Sequence, residues 1–387
     1  MHVSLDVSAV PAMPAGAGRY VIDLTDALAR RDDVELVLWA RRGDAQRWRE
    51  HVSSNDSHRV RPVVPVHRPA RLAWEQLRLP SLLAAGGADV HHAPHYTMPE
   101  RAKLPVVVTV HDMTFFDHPE WHERSKVPIF RRAIRRAAAL AEALVCVSEH
   151  TAAGVRERLS PRGRVFVVPH GVDHARFRPD EPRPGADDEA LGALGVRSRY
   201  VLFLGTLEPR KAVPELIRAF ARVAPRHDDL ALVLAGQAGW GEQEIDRAIA
   251  SSEASARIAR VGYVTDESVP ALLRRAAVVA YPAHEEGFGL PALEALACGA
   301  PLVTSAGTTM AELSGGAALT VSPGDVDALA GALEAALSGG ADVDERRKHG
   351  LEVAAGHTWE RSAEGHLAAY RWAQAAAERP GGGAAGR

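Results

Sequence analysis

Residues 281–304 read YPAHEEGFGLPALEALACGAPLVT. An apolar run ending in YP closes a strand, and Glu286-Gly287-Phe288-Gly289 forms a glycine loop. Leu290 to Cys298 fits a helix, and APLVT begins the next strand. Pro291 suits a first helical turn, where a missing N–H costs nothing. Gly299 suits the helix stop. Strand, loop, helix and strand in this order make the repeating unit of a parallel sheet. Glu286 falls on the loop and Glu294 inside the helix. The helix N-terminus between them offers free N–H groups and the positive end of a dipole to an anion such as a diphosphate. An acid on each side can hold hydroxyl groups, so two polyols joined by a diphosphate, a nucleotide sugar, fit the stretch. A plain strand–turn–helix unit with two solvated acids would carry the same residues.

The same alternation extends outward. Strands are expected at 200–205, 230–236, 257–261, 278–281 and 317–321, with helices at about 213–223 and 326–337. In the first half, β-branched strands at 2–7 and 34–40 flank a loop with Gly16 and Gly18 and the amphipathic helix RYVIDLTDALARR. This is a second βαβ unit. The two glycines could let backbone approach a phosphate, or could simply make a tight turn. A helix over 70–86 is kinked or split by Pro80. Strands follow at 88–92, 105–110, 143–147 and 164–169, and Ser148 caps a helix starting at Glu149. His111 and Asp112 come at the carboxyl end of the 105–110 strand, where open α/β sheets collect ligands. His111 therefore either touches substrate or bonds to a loop. His91, His92 and His95 read as strand-end residues rather than metal ligands. Arg131, Arg132, Arg135 and Arg136 lie one helical turn apart in pairs and form a basic stripe. The stripe fits an anionic membrane surface or a phosphate-bearing acceptor; a solvated helix face is the simpler reading.

Composition narrows the class. The chain has 387 residues, 46% hydrophobic and 25% charged, with a net charge of −3. That is a soluble, two-domain size and balance, with no global field for nucleic acid. Two distant cysteines, Cys146 and Cys298, exclude a disulfide framework. No secretory leader or 20-residue apolar run is visible, so a cytoplasmic location is expected. The Pro- and Asp-rich stretch 179–199 reads as a linker, with one short helix possible inside it, between a first domain, 1–178, and a second, 200–357. A long helix over 358–377 and a disordered tail over 378–387 complete the chain. Asp32-Asp33, Asp187-Asp188 and Asp228-Asp229 read as surface turns.

Several segments together resemble one family. They are GAGRYVIDLTDAL, WEQLRLP, ADVHHAPHYTMP, VVVTVHDMTFFDHPEWH, VCVSEHT, VVPHGVD, LGTLEPRK, LVLAG, VGYV and EEGFGLPALEALACGAPLV, in that order. In this arrangement the chain resembles the retaining nucleotide-sugar glycosyltransferases of the GT-B fold. The likeness is specifically to the large family-four group that includes bacterial mannosyl- and glucosyltransferases. The resemblance implies an α/β protein of two Rossmann-like domains facing a cleft that closes over the donor. The first domain lies on the acceptor side, and the terminal helix crosses back to it, anchored by Tyr370 and Trp372.

The resemblance also implies residue roles. Glu286 would lie near the donor sugar and its leaving phosphate, and Glu294 would accept from ribose hydroxyls. Arg210 and Lys211, in the loop after Gly205, would hold the diphosphate, helped by the amides of Gly287, Phe288 and Gly289 ahead of Leu290. Gly16 and Gly18 would face the diphosphate, and His111 would touch the sugar. Relatives often carry arginine after the glycine matching Gly205. Thr206 stands there in this chain, so more of the phosphate falls to Arg210 and Lys211. No metal and no cofactor beyond the nucleotide-sugar co-substrate is implied. GDP-mannose is the favoured donor, with UDP-glucose, UDP-galactose and UDP-N-acetylglucosamine open. The acceptor would be a glycan, a lipid-linked glycan or a small molecule. Transfer would be front-face, because double displacement needs a carboxylate on the far face of the sugar. A non-catalytic nucleotide-sugar-binding protein of the same fold is the alternative from another class.

Overall fold

The computed structural model describes residues 1–53 and 55–379, which form two compact units. The first contains residues 1–171 together with the terminal helix from Trp359; the second spans Val172–Thr358. The expected tail falls almost wholly outside the described residues.

The first unit is a seven-stranded sheet, parallel throughout. Its strands are β1 (His2–Asp6), β2 (Glu35–Arg41), β3 (Arg59–Val64), β4 (Val90–Ala93), β5 (Val106–Val110), β6 (Ala143–Cys146) and β7 (Arg164–Val167). Their spatial order is β3-β2-β1-β4-β5-β6-β7. Every residue of VVVTV in β5 is buried, as expected of a central parallel strand covered on both faces. Pro62 lies in the edge strand β3, where a lost ladder donor is tolerated. The expected 70–86 helix is two helices, Arg68–Leu77 and Leu79–Gly86, with Pro80 in the first turn of the second. Gly16 and Gly18, expected in a loop, belong to the first turn of the helix Gly16–Ala29.

The terminal helix Trp359–Glu378 packs on this unit through side chains that read as core but are polar at their tips. Tyr370 Oη bonds His92 Nδ1 at 2.8 Å, His92 Nε2 bonds Thr109 Oγ1 at 2.8 Å, and Thr109 meets Tyr20 Oη at 2.8 Å. Tyr20 Oη also bonds His366 Nε2 at 2.8 Å. This buried chain ties the helix to β4, β5 and the first helix, and it explains how His92 can sit inside a strand that is buried throughout, while His91 Nδ1 pairs with Ser4 Oγ at 2.9 Å. Gly365 permits the close approach: a Cβ there would come within 2.7 Å of Val168. Trp372 is only half-buried, edge-on to Phe166 at 6.1 Å.

The second unit repeats the design with six parallel strands. They are β8 (Arg199–Leu204), β9 (Leu230–Ala235), β10 (Ile258–Gly262), β11 (Val278–Tyr281), β12 (Leu302–Ser305) and β13 (Leu319–Val321), ordered β10-β9-β8-β11-β12-β13. The helix Val213–Val223 buries Val213, Leu216, Ile217, Phe220 and Val223, one apolar stripe at helical spacing. Burying each such side chain is worth about 1.5–3 kcal/mol.

Two expectations need correction. The stretch 179–199 is not a free linker. The short helix allowed for inside it is present at Ala186–Ala193, but Asp187 makes a two-pronged ion pair with Arg274 at 2.7 and 2.9 Å, both side chains buried. This pins the stretch into the second unit. For the same reason Asp187 is not a surface residue, although Asp188 beside it is exposed. The helices Glu242–Ala250, Val269–Arg275 and Ala341–Ala355 lay outside the sequence expectations.

Candidate active site

In each sheet the chain leaves one strand in one direction and returns on its other side. In the second unit this reversal falls between β8 and β11. The loops at their carboxyl ends carry the residues singled out above, where doubly wound sheets bind ligands. Gly205 closes β8, its N–H bonded to Ala235 O at 2.9 Å, and the half-buried Thr206 follows it. A 3-10 turn, Pro209–Lys211, then turns into the helix Val213–Val223 through Ala212, which is left-handed at φ 53°. A left-handed alanine costs about 1–2 kcal/mol, and such strain tends to collect at functional sites.

On the opposite wall, β11 ends at Tyr281. The loop then runs to Gly289, which starts the helix Leu290–Ala297. Gly289 has φ 95°, and a Cβ there would lie 2.4 Å from Met310 Cγ. Pro291 occupies the first turn as expected. The two loops meet on one atom. Arg210 Nη1 approaches Glu286 Oε1 at 2.8 Å, Lys211 Nζ contacts the same oxygen, and Tyr281 Oη donates to it at 3.2 Å. Lys211 also donates to Tyr281 Oη and lies over its ring. Thr309 Oγ1 holds the Glu286 carbonyl at 2.9 Å, and the His284 N–H bonds Arg210 O at 2.8 Å. Lys211, Glu286 and Glu294 are all buried. Burial pushes the Tyr281 phenol well up, with the charge of Glu294 adding to the shift, so it stays a neutral donor. Gly287 and Phe288 are buried in the loop between the two acids, and Leu290 is buried at the start of the helix.

Sequence reasoning missed Tyr281. It stands in the opening stretch but reads there as the end of a strand. Its signal was an aromatic hydroxyl at the carboxyl end of a buried strand, which must find a partner.

His111, in the first unit, lies just beyond β5 and is buried. Its Nε2 lies 2.8 Å from Pro94 O. A carbonyl only accepts, so Nε2 carries the proton and Nδ1 is left as an acceptor. Burial holds the ring below its usual value and therefore neutral. Gly16 has open space where a side chain would be, whereas Gly18 is closely packed against Pro14. The basic stripe is largely engaged by the protein itself. Arg132 and Arg136 share Glu100, and Arg131 donates to Phe115 O at 2.7 Å. Among the described residues no group of side chains could hold a metal ion, and no helix is long and apolar enough to cross a membrane.

Two family models match, Glycosyltransferase Family 4 over residues 14–176 and Glycosyl transferases group 1 over residues 192–351. A D-inositol 3-phosphate glycosyltransferase of Salinispora arenicola is 31% identical over 325 residues, covering 75% of this chain and 72% of that protein. The chain belongs to the family 4 glycosyltransferases. Within the family it is also similar to O-antigen chain mannosyltransferase B of Escherichia coli, 29% identical over 73% of this chain and 74% of that one. Other D-inositol 3-phosphate glycosyltransferases are matched over only 48% to 63% of their own length. Anabaena HepE, solved with UDP-glucose, shares the GT-B glycosyltransferase fold at TM-score 0.74 and 20% identity, covering 95% of this chain and 99% of that one. This family 4 chain is thus a nucleotide-sugar glycosyltransferase of GT-B type.

Proposed function

We propose that the chain is a retaining hexosyltransferase that moves mannose from GDP-mannose to a glycan, lipid-linked or small-molecule acceptor. The observation that carries this reading is the convergence of Arg210, Lys211 and Tyr281 on one oxygen of Glu286. A departing nucleoside diphosphate gathers negative charge, and preorganised cations and amide N–H groups at a strand edge stabilise it. Arg210 and Lys211 serve that charge, with the amides of Gly287, Phe288 and Gly289 beside them. Glu286 orients the two cations and meets sugar hydroxyls, and Glu294 takes the ribose hydroxyls. His111 accepts a sugar hydroxyl at Nδ1. Gly16, with no atom within 4 Å of where a Cβ would stand, leaves room for a phosphate.

With both glutamates so occupied, neither serves as a back-face nucleophile, and the leaving phosphate itself takes the acceptor proton. The two cations do the work a divalent metal would otherwise do, so turnover is insensitive to EDTA. Likeness to the O-antigen mannosyltransferase supports mannose. A UDP-sugar donor is the second reading, favoured by the complex that HepE forms with UDP-glucose. A thermal-shift panel of GDP-, UDP- and ADP-sugars decides between them, since a ligand of the folded state alone raises apparent stability. GDP-mannose giving the largest rise is the expected result. A rise with UDP-sugars alone overturns the donor, and no rise with any of them overturns the reading.

A further inference from the structure

Glu286 Oε1 carries contacts from Arg210, Lys211 and Tyr281. In the transferase reading above this carboxylate also meets the donor sugar. Each cation therefore needs a second anchor if it is to keep its place when the donor arrives. Arg210 has one: its Nε donates to Glu208 Oε2 at 3.2 Å and its Nη1 to Glu285 O at 3.2 Å. A guanidinium is a planar fork, and these contacts fix its plane. Lys211 ends in a compact ammonium on a flexible stem, which one carboxylate does not orient. We propose that Tyr281 is the positioning residue for Lys211, and that its phenol keeps the ammonium directed at the donor diphosphate while Glu286 engages the sugar. The proposal rests on the transferase reading and gives a role to a side chain which that reading leaves without one.

The hydroxyl works in both directions. Its single proton goes to Glu286 Oε1, 3.2 Å away, and its lone pairs accept from Lys211 Nζ. The ammonium also lies over the ring, 4.7 Å from its centre, where the negative face of the aromatic attracts it. Arg210 and Glu208 from the loop after β8, and Glu294 from the helix after β11, are the other charged groups acting on the phenol. Burial outweighs them and pushes the phenol well up, so it keeps its proton and goes on donating.

The ring is held by the sheet. Tyr281 is fully buried at the end of β11, stacked on Phe203 of β8 at 5.5 Å with 7° between the planes. Thr304 Oγ1, on the neighbouring β12, donates to its carbonyl at 2.9 Å. Gly205 makes room for the hydroxyl, since a Cβ there would stand 3.2 Å from Oη. Glu286 belongs to a loop and Tyr281 to a strand, and a group held on a strand keeps its geometry better than one held on a loop.

The test compares the full chain with Tyr281→Phe, which removes one oxygen and leaves the stacked ring. The probe is whichever of the GDP-, UDP- and ADP-sugars gives the largest thermal shift. Release of nucleoside diphosphate is measured per folded molecule, with circular dichroism giving the folded fraction. In Tyr281→Phe kcat should fall about tenfold or more, the scale of one hydrogen bond to a charged group. KM should change much less, since the loss falls on the transition state. A second readout follows the ammonium itself. Lys103, Lys126, Lys211 and Lys348 are the four lysines of the chain, so ε-carbon labelling gives four signals, and Lys211→Met identifies the one that matters. In the wild type that signal should stay ring-shifted when the nucleotide sugar is added. In Tyr281→Phe the same addition should displace it. Wild-type kcat in folded Tyr281→Phe overturns the proposal. So does a wild-type Lys211 signal that leaves the ring on donor addition, a result that decides the matter even if the variant does not fold. If the donor is turned over and the phenol proves idle, this inference falls alone. If no nucleotide sugar shifts the melting point, the transferase reading falls with it.

Discussion

Glu286 sets a carboxylate against both Arg210 and Lys211 inside the protein. Removing one member of a buried pair leaves the other uncompensated, at a cost of about 3–5 kcal/mol. Glu286→Gln should therefore lower the unfolding free energy by about 3 kcal/mol, and adding Lys211→Met should recover part of that loss. A double-mutant cycle in denaturant measures both; equal losses in the single and double variants would deny the coupling. Gly289 is a second residue-scale test. At φ 95° and 2.4 Å from Met310, alanine is strained and clashes. Gly289→Ala should cost at least about 1 kcal/mol and slow turnover by shifting the loop that carries Glu286. Unchanged melting and turnover would contradict the close approach. Charged residues were the legible part of this site, because Glu286, Arg210 and Lys211 stand out in glycine- and proline-punctuated loops. Tyr281 was not, since an aromatic at a strand end reads as core, and the contact of its hydroxyl with Glu286 is a tertiary fact.

At the scale of elements, the strands other than the proline-bearing edge strand β3 and the strongly amphipathic helix Val213–Val223 were legible from period and β-branching. The helix Val269–Arg275 was not, because it is buried along most of its length and shows no period. The helix Ala341–Ala355 buries only Val343, Gly350 and Ala354, too sparse a stripe to announce itself. The linker reading failed because tertiary contacts decide where the stretch packs: the buried pair Asp187–Arg274, a second pair Asp188–Arg275, and the buried Leu191 and Val196. Asp187→Ala should destabilise the second unit by about 3 kcal/mol and expose 179–199 to protease. An unchanged digestion pattern would contradict that account. The buried histidines of the first unit make a pH prediction. Burial holds His91 and His95 at about 3 and His366 at about 4. The unfolded chain binds protons on them near 6.5 while the folded chain does not. Their effect on stability is therefore nil above about 6.5, and stability falls as pH drops below it, by about 1.4 kcal/mol per pH unit for each histidine. Urea unfolding of the first unit at pH 7 and pH 5 should show the loss. Equal stability at both would mean that these rings are protonated in the fold.

At the scale of the whole molecule, each unit gathers charged side chains at the reversal point of its own sheet. Between β8 and β11 stand Arg210 and Lys211 with Glu286; between β1 and β4 stand Asp6 and Glu75 with Arg68 and Arg71. The central claim is that Glu286 and its two cations form the donor site. The most direct measurement is release of nucleoside diphosphate from GDP-mannose by the wild-type chain and by Glu286→Gln, with circular dichroism confirming that the variant is folded. The account predicts release by the wild type and a loss of about 10²–10³-fold in the variant, the usual scale for removing one preorganised electrostatic partner. A folded Glu286→Gln chain that turns the donor over at the wild-type rate would contradict it.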